Sequence, residues 1–289
     1  AFDEGYGGNL ELFRDQQKLD AAAADIEGVP SMSVPCQLLD VAGCIHQEPA
    51  LAQVQGKFVG GLWFPDDATG DCRMFTTELA RECRALGVRF RFGERILELQ
   101  RDGQRISAVR TDRDGLEADA FVVALGSYSP LLLKPLGINL PVYPVKGYSL
   151  TLPIMDPARA PRSTLMDEAF KVAVTRFRDR IRVGGTAELA GFNRSLPASR
   201  RLAPEHVVSD LFPRAGNLED AEFWCGLRPM TPDSVPVIGK TPFANLYINT
   251  GHGTLGWTMS QGSGQLLADI INERSPVIDT EGLTLERYL

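Results

Sequence analysis

The sequence lacks the features that mark several protein classes. Its 289 residues contain no run of about 18 apolar residues, and the longest apolar region, residues 121–133, is broken by Gly126, Ser127 and Pro130. The five cysteines form no CxxC pair, and His46 and His206 match no motif. These absences argue against a transmembrane segment in this chain, a disulfide framework and a metal site, and they predict reduced thiols in the cytoplasm.

An excess of basic residues is also absent. The net charge is -7, from 37 acidic and 30 basic residues, and the arginines are scattered along the chain. Because phosphate binding needs a basic patch, we expect no nucleic-acid partner. A hydrophobic content of 44% is enough to fill the core of one large domain or two ordinary ones. The abrupt start at Ala1, without methionine, predicts that the chain is a fragment.

A glycine-rich stretch near the C-terminus, residues 249–258, organises the predictions for the whole chain. Residues 246–248 read as a short strand, and apolar residues at helical spacing follow the glycines. A strand, a glycine turn and a helix start leave backbone N–H groups unpaired at the positive end of a helix dipole. That geometry favours an anion or an electron-poor ring that gains negative charge. A turn required only for packing remains the alternative.

The remaining pattern falls into two kinds of segment. The first is mixed: a helix with an apolar stripe from Phe75 to Leu86, an alternating strand at residues 88–92, and a run at residues 121–125 that predicts a central buried strand. The second, residues 142–185, reads as short alternating strands without a long helix. This second pattern predicts a largely antiparallel sheet.

Seven stretches carry a resemblance to a known family. They are residues 7–14, 69–76, 126–129, 143–151, 182–185, 226–233 and 249–259. With them the whole chain resembles the FAD-dependent amino-acid and amine oxidoreductases related to D-amino-acid oxidase, and among these the bacterial D-amino-acid dehydrogenases. The resemblance implies a D-amino-acid oxidase-like fold of mixed α+β and α/β class, in which an incomplete FAD-binding domain is interleaved with an antiparallel-sheet substrate domain.

The resemblance also implies domain boundaries. We assign residues 1–62 and 140–223 to the substrate domain, the first with helices and the second as its antiparallel sheet. We assign residues 63–139 and 224–289 to the FAD-binding domain. Family members hold the FAD pyrophosphate with an N-terminal GxGxxG turn. We find no such turn near this N-terminus and read the GxGxxG spacing of Gly251, Gly253 and Gly256 as coincidental, so we expect the isolated chain to hold flavin poorly.

The resemblance points to specific residues for a non-covalent FAD. The loop along the flavin pyrimidine edge corresponds to Gly253, Thr254, Leu255, Gly256, Trp257 and Thr258. Gly126, with Ala124 before it, matches a second glycine turn, and Ile96 falls where a backbone amide and carbonyl usually meet the adenine. Cys225 is one residue from the position where some relatives attach FAD covalently, so we expect no covalent link.

For the substrate, Arg228 in Gly-Leu-Arg-Pro matches the arginine that pairs with the substrate carboxylate. A guanidinium fork donates two parallel hydrogen bonds to a carboxylate. Tyr148 and Tyr143 are candidates for the same pocket, although half-buried packing is the commoner role of a strand tyrosine. Val172 replaces a carboxylate-binding tyrosine of related oxidases, which predicts a tolerant, less polar pocket.

The implied reaction is oxidation of a D-amino acid resembling D-alanine to the imine, which water hydrolyses to a 2-oxo acid and ammonia. Hydride transfer to flavin needs positioning rather than an acid or base, so we assign no catalytic side chain and read His252 as structural. The resemblance implies a quinone or another membrane-linked carrier as electron acceptor, with the protein cytoplasmic or peripheral on the inner membrane. A glycine or sarcosine oxidase, and a flavin-free fragment that needs its missing segment or a partner, remain alternatives.

Overall fold

The computed structural model describes residues 1–27 and 34–288. The chain divides into two units, each built from separate stretches of sequence. Unit 1 comprises Ala1–Val88, Gly147–Ala187 and Arg194–Gly226, and unit 2 comprises Arg89–Lys146, Glu188–Asn193 and Leu227–Leu289. The chain therefore passes from one unit to the other several times.

The α-helices are α1 (Gln16–Glu27), α2 (Val41–Gln47), α3 (Cys72–Ala85), α4 (Ser129–Leu133), α5 (Leu202–Leu211) and α6 (Gly256–Ile271). Three of them, α1, α3 and α6, have 12, 14 and 16 residues, and the other helices are shorter. Turns of 3-10 helix cover Pro49–Lys57, Gly126–Tyr128, Lys134–Leu136, Ala198–Arg200 and Leu285–Tyr288. Aspartates start two of the helices, since the Asp40 carboxylate accepts a hydrogen bond from Gly43 N (2.7 Å) and that of Asp71 from Met74 N (2.9 Å).

The strands form one large and two small sheets. They are β1 (Asn9–Phe13), β2 (Gln37–Asp40), β3 (Gly60–Phe64), β4 (Ile96–Asp102), β5 (Arg105–Thr111), β6 (Gly115–Leu116), β7 (Phe121–Val123), β8 (Tyr143–Pro153), β9 (Thr164–Asp167), β10 (Val172–Phe177), β11 (Arg180–Leu189), β12 (Glu222–Met230), β13 (Val237–Lys240) and β14 (Leu246–Thr250). The large sheet has the order β12-β8-β11-β10-β9-β1-β3-β2. It contains antiparallel pairs and the parallel pair β1 and β9, so it is a mixed sheet.

Unit 1 has its hydrophobic core against this sheet. Leu10 and Leu12 of β1 alternate with less buried residues and meet Leu165 and Val174 from β9 and β10, all fully buried. Helix α5 adds Val207, Val208 and Leu211 to the same core. The alternation of the strands thus selects one face of the sheet for the core.

Two buried carboxylates in unit 1, those of Glu48 and Asp167, are satisfied by neighbours. The fully buried Glu48 carboxylate accepts hydrogen bonds from Arg162 N (2.7 Å), Ser163 N (2.9 Å) and Ser163 Oγ (2.7 Å). Burial raises the pKa of this carboxyl, although the three donors oppose the shift. Arg14 bridges the buried Asp167 (2.7 Å) and the carboxylate of Asp210 (2.8 Å). These contacts tie distant parts of the sequence together.

Unit 2 contains the two small sheets. One has the order β13-β14-β7, in which β14 runs antiparallel to β13 and parallel to β7, with Ile248 opposite Val123. The other is the meander β4-β5-β6. A cluster that includes Phe121, Val123, Leu246 and Ile248 forms the core, and α6 packs Leu266 and Leu267 on Ile238 and Tyr247. The parallel pair brings the ends of β7 and β14 to one edge.

Two local predictions are wrong. Residues 88–92 form no strand and belong to none of the sheets of the described chain, although Phe90 and Phe92 stack on each other (5.6 Å). β7 is not central, because it lies at an edge of its described sheet and Val122 is exposed. The predicted apolar stripe of α3 exists but contains no buried residue.

Within residues 1–27 and 34–288, no helix is both long and apolar enough to cross a bilayer.

Candidate functional site

The two parallel strands of unit 2 end beside each other and lead into two glycine turns. β7 is followed by the 3-10 turn Gly126–Tyr128, and β14 by the turn that begins at Gly251. Thr250 Oγ1 donates a hydrogen bond to the Gly126 carbonyl (3.1 Å) and joins the two turns. Ligands of open α/β sheets bind at the carboxyl ends of such strands, so this edge is the candidate site.

The end of β12 joins the same place. Met230 forms an isolated antiparallel bridge with His252, and Gly253 N donates to the Pro229 carbonyl at 3.0 Å. A Cβ on Gly126 would lie 3.8 Å from Pro229 Cγ, which is ordinary contact. The structure therefore brings together three of the predicted segments: the Gly126 turn, the Arg228 segment and the glycine turn after β14.

Glycine is required at the start of that turn. Gly251 has a φ of +82°, and a Cβ there would lie 2.7 Å from Thr231 Cγ2. Gly253 has a φ of +54°, and its Cβ would meet Met230 Sδ at 2.8 Å. Both positions combine a left-handed backbone with close packing on the end of β12. These glycines thus allow the close internal packing of the turn, as the packing alternative predicts. They also determine the shape of its exposed side.

That exposed side is the beginning of α6. The helix starts at Gly256 after Leu255, and no side chain caps it. Thr254, Leu255, Trp257 and Thr258 are all exposed, with Leu255 57% exposed. A helix N-terminus offers N–H groups and the positive end of the helix dipole, and here apolar side chains lie beside it. The arrangement suits a flat ligand with a negatively polarised edge.

Arg228 lies on β12, two residues before the bridge to His252. It is half-buried, and burial lowers the pKa of its guanidinium. An arginine stays protonated even so, because the ordinary pKa of a guanidinium lies far above neutral pH. The charge therefore sits where hydration is reduced, and a carboxylate ligand would gain more there than at an open surface.

His252 is held by the helix that follows it. Its Nε2 lies 2.9 Å from Ser263 Oγ on the second turn of α6, and burial lowers the pKa of the imidazole. Leu255 N also donates to the His252 carbonyl at 3.0 Å. These contacts fold the turn back onto α6 and give His252 a structural partner.

Two residues of this edge were not assigned a role from the sequence. Among the described residues, the buried atoms Ser127 Oγ and Asn249 Oδ1 have no hydrogen-bond partner. Ser127 follows Gly126, and Asn249 is the residue before Thr250. An unpaired buried polar atom costs free energy, and its presence in a native site calls for a partner. Both lie inside stretches that carry the family resemblance, which was the available signal.

The other predicted residues lie in different surroundings. Tyr148 is buried in unit 1 and stacks on Phe223 (5.6 Å), whereas Tyr143 in unit 2 is exposed and its hydroxyl accepts from Gly191 N (3.1 Å). Ala124 is exposed just before the Gly126 turn, and Ile96 is exposed at the start of β4 in the other small sheet.

Val172 bears on the predicted polarity of the pocket. It is 1% exposed within the core of unit 1, on strand β10. Its apolar character therefore satisfies core packing, and it is no measure of how polar a substrate pocket is.

Metal ligation has no support in the part of the chain that the structure describes, where no group of three or more His, Cys, Asp and Glu side chains is placed to hold an ion.

Comparison with known proteins identifies the family of the chain. Residues 4–270 match the sequence model of the DAO family, described as FAD dependent oxidoreductase. The chain belongs to this family and is an oxidoreductase of the flavin-dependent class. It is 57% identical over 287 residues to the D-amino acid dehydrogenase of Rhizorhabdus wittichii, covering 99% of this chain and 69% of that protein. The D-amino acid dehydrogenase of Bradyrhizobium diazoefficiens is 56% identical, with 99% and 68% covered.

Solved structures show the same fold. Glycine oxidase from Geobacillus kaustophilus matches with a TM-score of 0.89 at 23% identity, covering 100% of this chain and 76% of that one. L-proline dehydrogenase from P. horikoshii matches with a TM-score of 0.85 at 19% identity, covering 99% and 78%. The predicted family and fold class are thereby confirmed.

The residues at the candidate site fit the FAD that the family implies. The uncapped start of α6 offers N–H groups to the electron-rich edge of the flavin ring, and the exposed Leu255 and Trp257 offer apolar surface. Ser127 Oγ and Asn249 Oδ1 supply buried polar atoms that still need partners. The donors and the apolar surface are both what a flavin ring requires.

Proposed function

We propose that this chain oxidises D-amino acids, with small apolar ones such as D-alanine preferred, as part of an FAD-dependent D-amino acid dehydrogenase. The observation that carries the proposal is the hydrogen-bonded junction between the Arg228 segment and the glycine turn, through Pro229, Met230, His252 and Gly253. This junction supports the proposal because it holds the segment of Arg228, the residue proposed to bind the substrate carboxylate, against the turn proposed to bind the flavin. The names of the relatives at 56–57% identity support the same reaction.

In this proposal the chain contributes binding and orientation. Bound FAD supplies the two-electron acceptor that takes the hydride from the substrate Cα. Arg228 pairs with the substrate carboxylate in two parallel hydrogen bonds, which leaves Cα and the amine facing the turn. The N–H groups at the start of α6 favour the negative charge that reduction brings. No side chain has to remove a proton from carbon, because the neutral amine supplies its electron pair to the forming imine.

The proposal includes the wider organisation. We assign residues 63–139 and 224–289 to FAD binding. Unit 2 supports the part of this assignment that it groups, Arg89–Lys146 and Leu227–Leu289, whereas residues 63–88 lie in unit 1. Residues 1–62 and 140–223 are assigned to the substrate domain. We further propose a quinone or another membrane-linked carrier as the electron acceptor, and a cytoplasmic location with contact to the inner membrane.

The test is anaerobic reduction of the flavin in the holoenzyme. D-Alanine should bleach the visible flavin absorbance, and L-alanine should leave it unchanged. Bleaching by glycine or sarcosine, with none by D-alanine, would replace the proposal by an amine oxidase of the same family. Flavin that no amino acid bleaches, in a protein shown to be folded, would refute an amino acid as substrate.

A further inference from the structure

Unit 2 contains a pocket that the proposed reaction does not use. Its volume is about 450 Å³, within the range of small-molecule sites. Three prolines, Pro130, Pro141 and Pro232, line it together with Ile138 and Leu140. Proline has a fixed φ and few side-chain rotamers, so these walls are pre-formed. The pocket is therefore rigid and largely apolar.

The floor of this pocket is part of the core. Ile138 and Leu140 are 3% and 6% exposed and belong to the same hydrophobic cluster as Phe121 and Ile248 of the parallel strand pair. The chain reaches them through Gly137, whose φ is +82°. A ligand seated here would lie against the core that supports the flavin-binding turn.

Tyr288 forms an aromatic wall that is held in place. Its hydroxyl donates to Asp233 Oδ1 (2.6 Å), and the guanidinium of Arg287 lies 4.3 Å from the centre of its ring. Arg287 also donates to the Asp233 carboxylate at 3.0 Å. Because the hydroxyl is engaged by Asp233, what Tyr288 offers a ligand is its ring, a stacking surface.

The pocket adjoins the candidate site through three short connections. Pro130 belongs to α4, which follows the Gly126 turn directly, and Pro232 follows Thr231. Gly251 is the third connection, since a Cβ placed there would meet Thr231 Cγ2 at 2.7 Å and Val142 Cγ2 at 3.6 Å. Val142 in turn follows Pro141 of the pocket. The pocket walls and the flavin-binding turn thus share their immediate neighbours.

We propose that this pocket binds the electron acceptor, a molecule of the quinone class. A quinone has a flat apolar ring for the Tyr288 and proline walls and a carbonyl oxygen for the ammonium of Lys134, which lines the pocket and is exposed. Exposed Leu131 of α4, next to Pro130, would meet an apolar tail. The assignment of this ligand as the acceptor rests on the proposed function.

The proposed reaction balances with a quinone as oxidant. The D-amino acid loses a hydride from Cα and a proton from nitrogen, which leaves the imine. The quinone gains two electrons and two protons and becomes the quinol. Bound FAD would supply the two-electron relay between these two half-reactions, and hydrolysis of the imine by water needs no further oxidant.

The experiment fills the pocket with a bulky side chain. Asn139→Trp introduces an indole at an exposed lining position, and Asn272→Trp, at the exposed end of α6, is the matched control. Equilibrium dialysis of a short-tailed ubiquinone against the oxidised holoenzyme gives Kd. Steady-state assays compare this quinone with a small water-soluble dye as acceptor, and anaerobic bleaching by D-alanine reports the first half-reaction.

We expect Asn139→Trp to raise both Kd and KM for the quinone about tenfold or more. A tenfold higher Kd corresponds to a loss of about 1.4 kcal/mol of binding free energy. Bleaching and the rate with the dye should stay at the control value. If Asn139→Trp changes quinone binding no more than Asn272→Trp does, the pocket is not the acceptor site. Displacement of the quinone by decanoate at equal concentration would show a general lipid pocket and overturn the assignment. Absence of bleaching would instead refute the proposed function, while dialysis still decides whether the pocket binds quinone.

Discussion

The two units treat their buried polar groups differently. In unit 1 the carboxylates of Glu48 and Asp167 are fully buried and each receives several hydrogen bonds from the protein itself. In the described part of unit 2, Ser127 Oγ and Asn249 Oδ1 are buried without partners beside the glycine turns. Unit 1 also has one such atom, Asn9 Oδ1, which follows the positive-φ Gly8 at the start of β1. In unit 2, Glu94 Oε2 likewise makes no hydrogen bond, although Arg91 Nε lies 2.7 Å from it as an ion-pair partner.

This difference distinguishes buried polar groups that stabilise the fold from buried polar groups that can bind a ligand. A buried carboxylate that protein donors satisfy contributes to the folded state and has no capacity left for a ligand. A buried hydroxyl or amide without a partner costs stability until something else binds it. The site of chemistry in this chain is therefore expected where the protein leaves its polar groups unsatisfied, at the edge formed by β7 and β14.

The largest expected effect is on stability, from Asp167→Ala in unit 1. This change leaves the partly buried Arg14 with only Asp210 as a partner, and breaking a buried ion pair costs about 3–5 kcal/mol. Urea unfolding of the variant should show a loss of that size in the free energy of unfolding, with a correspondingly lower midpoint. Glu98→Ala, which removes an exposed pair with Arg110, is the control and should cost less than about 1 kcal/mol. Equal midpoints for both variants would show that the saturated contacts of unit 1 are not structural.

Next in size is a loss of activity, from Arg228→Ala in unit 2. Without the guanidinium that pairs with the substrate carboxylate, kcat/KM for D-alanine should fall roughly 30- to 1000-fold. This corresponds to a loss of about 2–4 kcal/mol of transition-state stabilisation. Arg228→Lys keeps the charge without the two-pronged fork and should recover part of the loss. Arg110→Ala, an exposed arginine of the same unit, should leave kcat/KM unchanged. A normal kcat/KM in Arg228→Ala would remove this residue from the substrate site.

A smaller effect is expected when the glycine turn is strained. Gly251→Ala places a Cβ against Thr231 at a φ of +82°, which should cost about 1–3 kcal/mol and loosen flavin binding. Gly264→Ala in α6 has open space around it, and alanine in a helix interior should stabilise by up to about 1 kcal/mol. Thermal unfolding and flavin release are the measurements. A Gly251→Ala variant as stable as Gly264→Ala would show that the turn has room to relax.

The smallest effect is a pH dependence from His252. Burial lowers its pKa below the usual 6.5, so the unfolded chain takes up a proton before the folded protein does. The contribution of His252 to stability is therefore complete above about pH 6.5 and declines as the pH falls towards the lowered value. The free energy of unfolding of His252→Gln should vary less with pH between 7.5 and 5.5 than that of the unchanged protein. An identical pH dependence in both would show that His252 is not the titrating group.

Much of the site could be predicted from the sequence because its signals are local. The strand before the glycines, the helix after them and the Gly126 turn all rest on residues close together in the chain, and the structure has β14, α6 and the 3-10 turn there. Arg228 stood out through its motif. Its partial burial, and the bonds that join Pro229 and Met230 to the glycine turn, required the fold.

The failed predictions have a common physical cause. An alternating segment such as residues 88–92 forms a strand only if it pairs with a neighbouring strand, and residues 88–92 belong to none of the three sheets of the described chain. The run at residues 121–125 is apolar on both faces, yet β7 ends after three residues at the edge of its described sheet. Local pattern shows what a segment could become, and the available partners decide the outcome.

The sequence by itself therefore indicated the family and the class of fold, through stretches that resemble known proteins, and the residue types of the candidate site. Tertiary structure decided which of these residues meet. It joined the ends of β7, β12 and β14, placed Val172 in the core of unit 1, and left Ser127 and Asn249 buried without partners. Burial and hydrogen bonding arise between residues far apart in sequence, so only the folded chain can specify them.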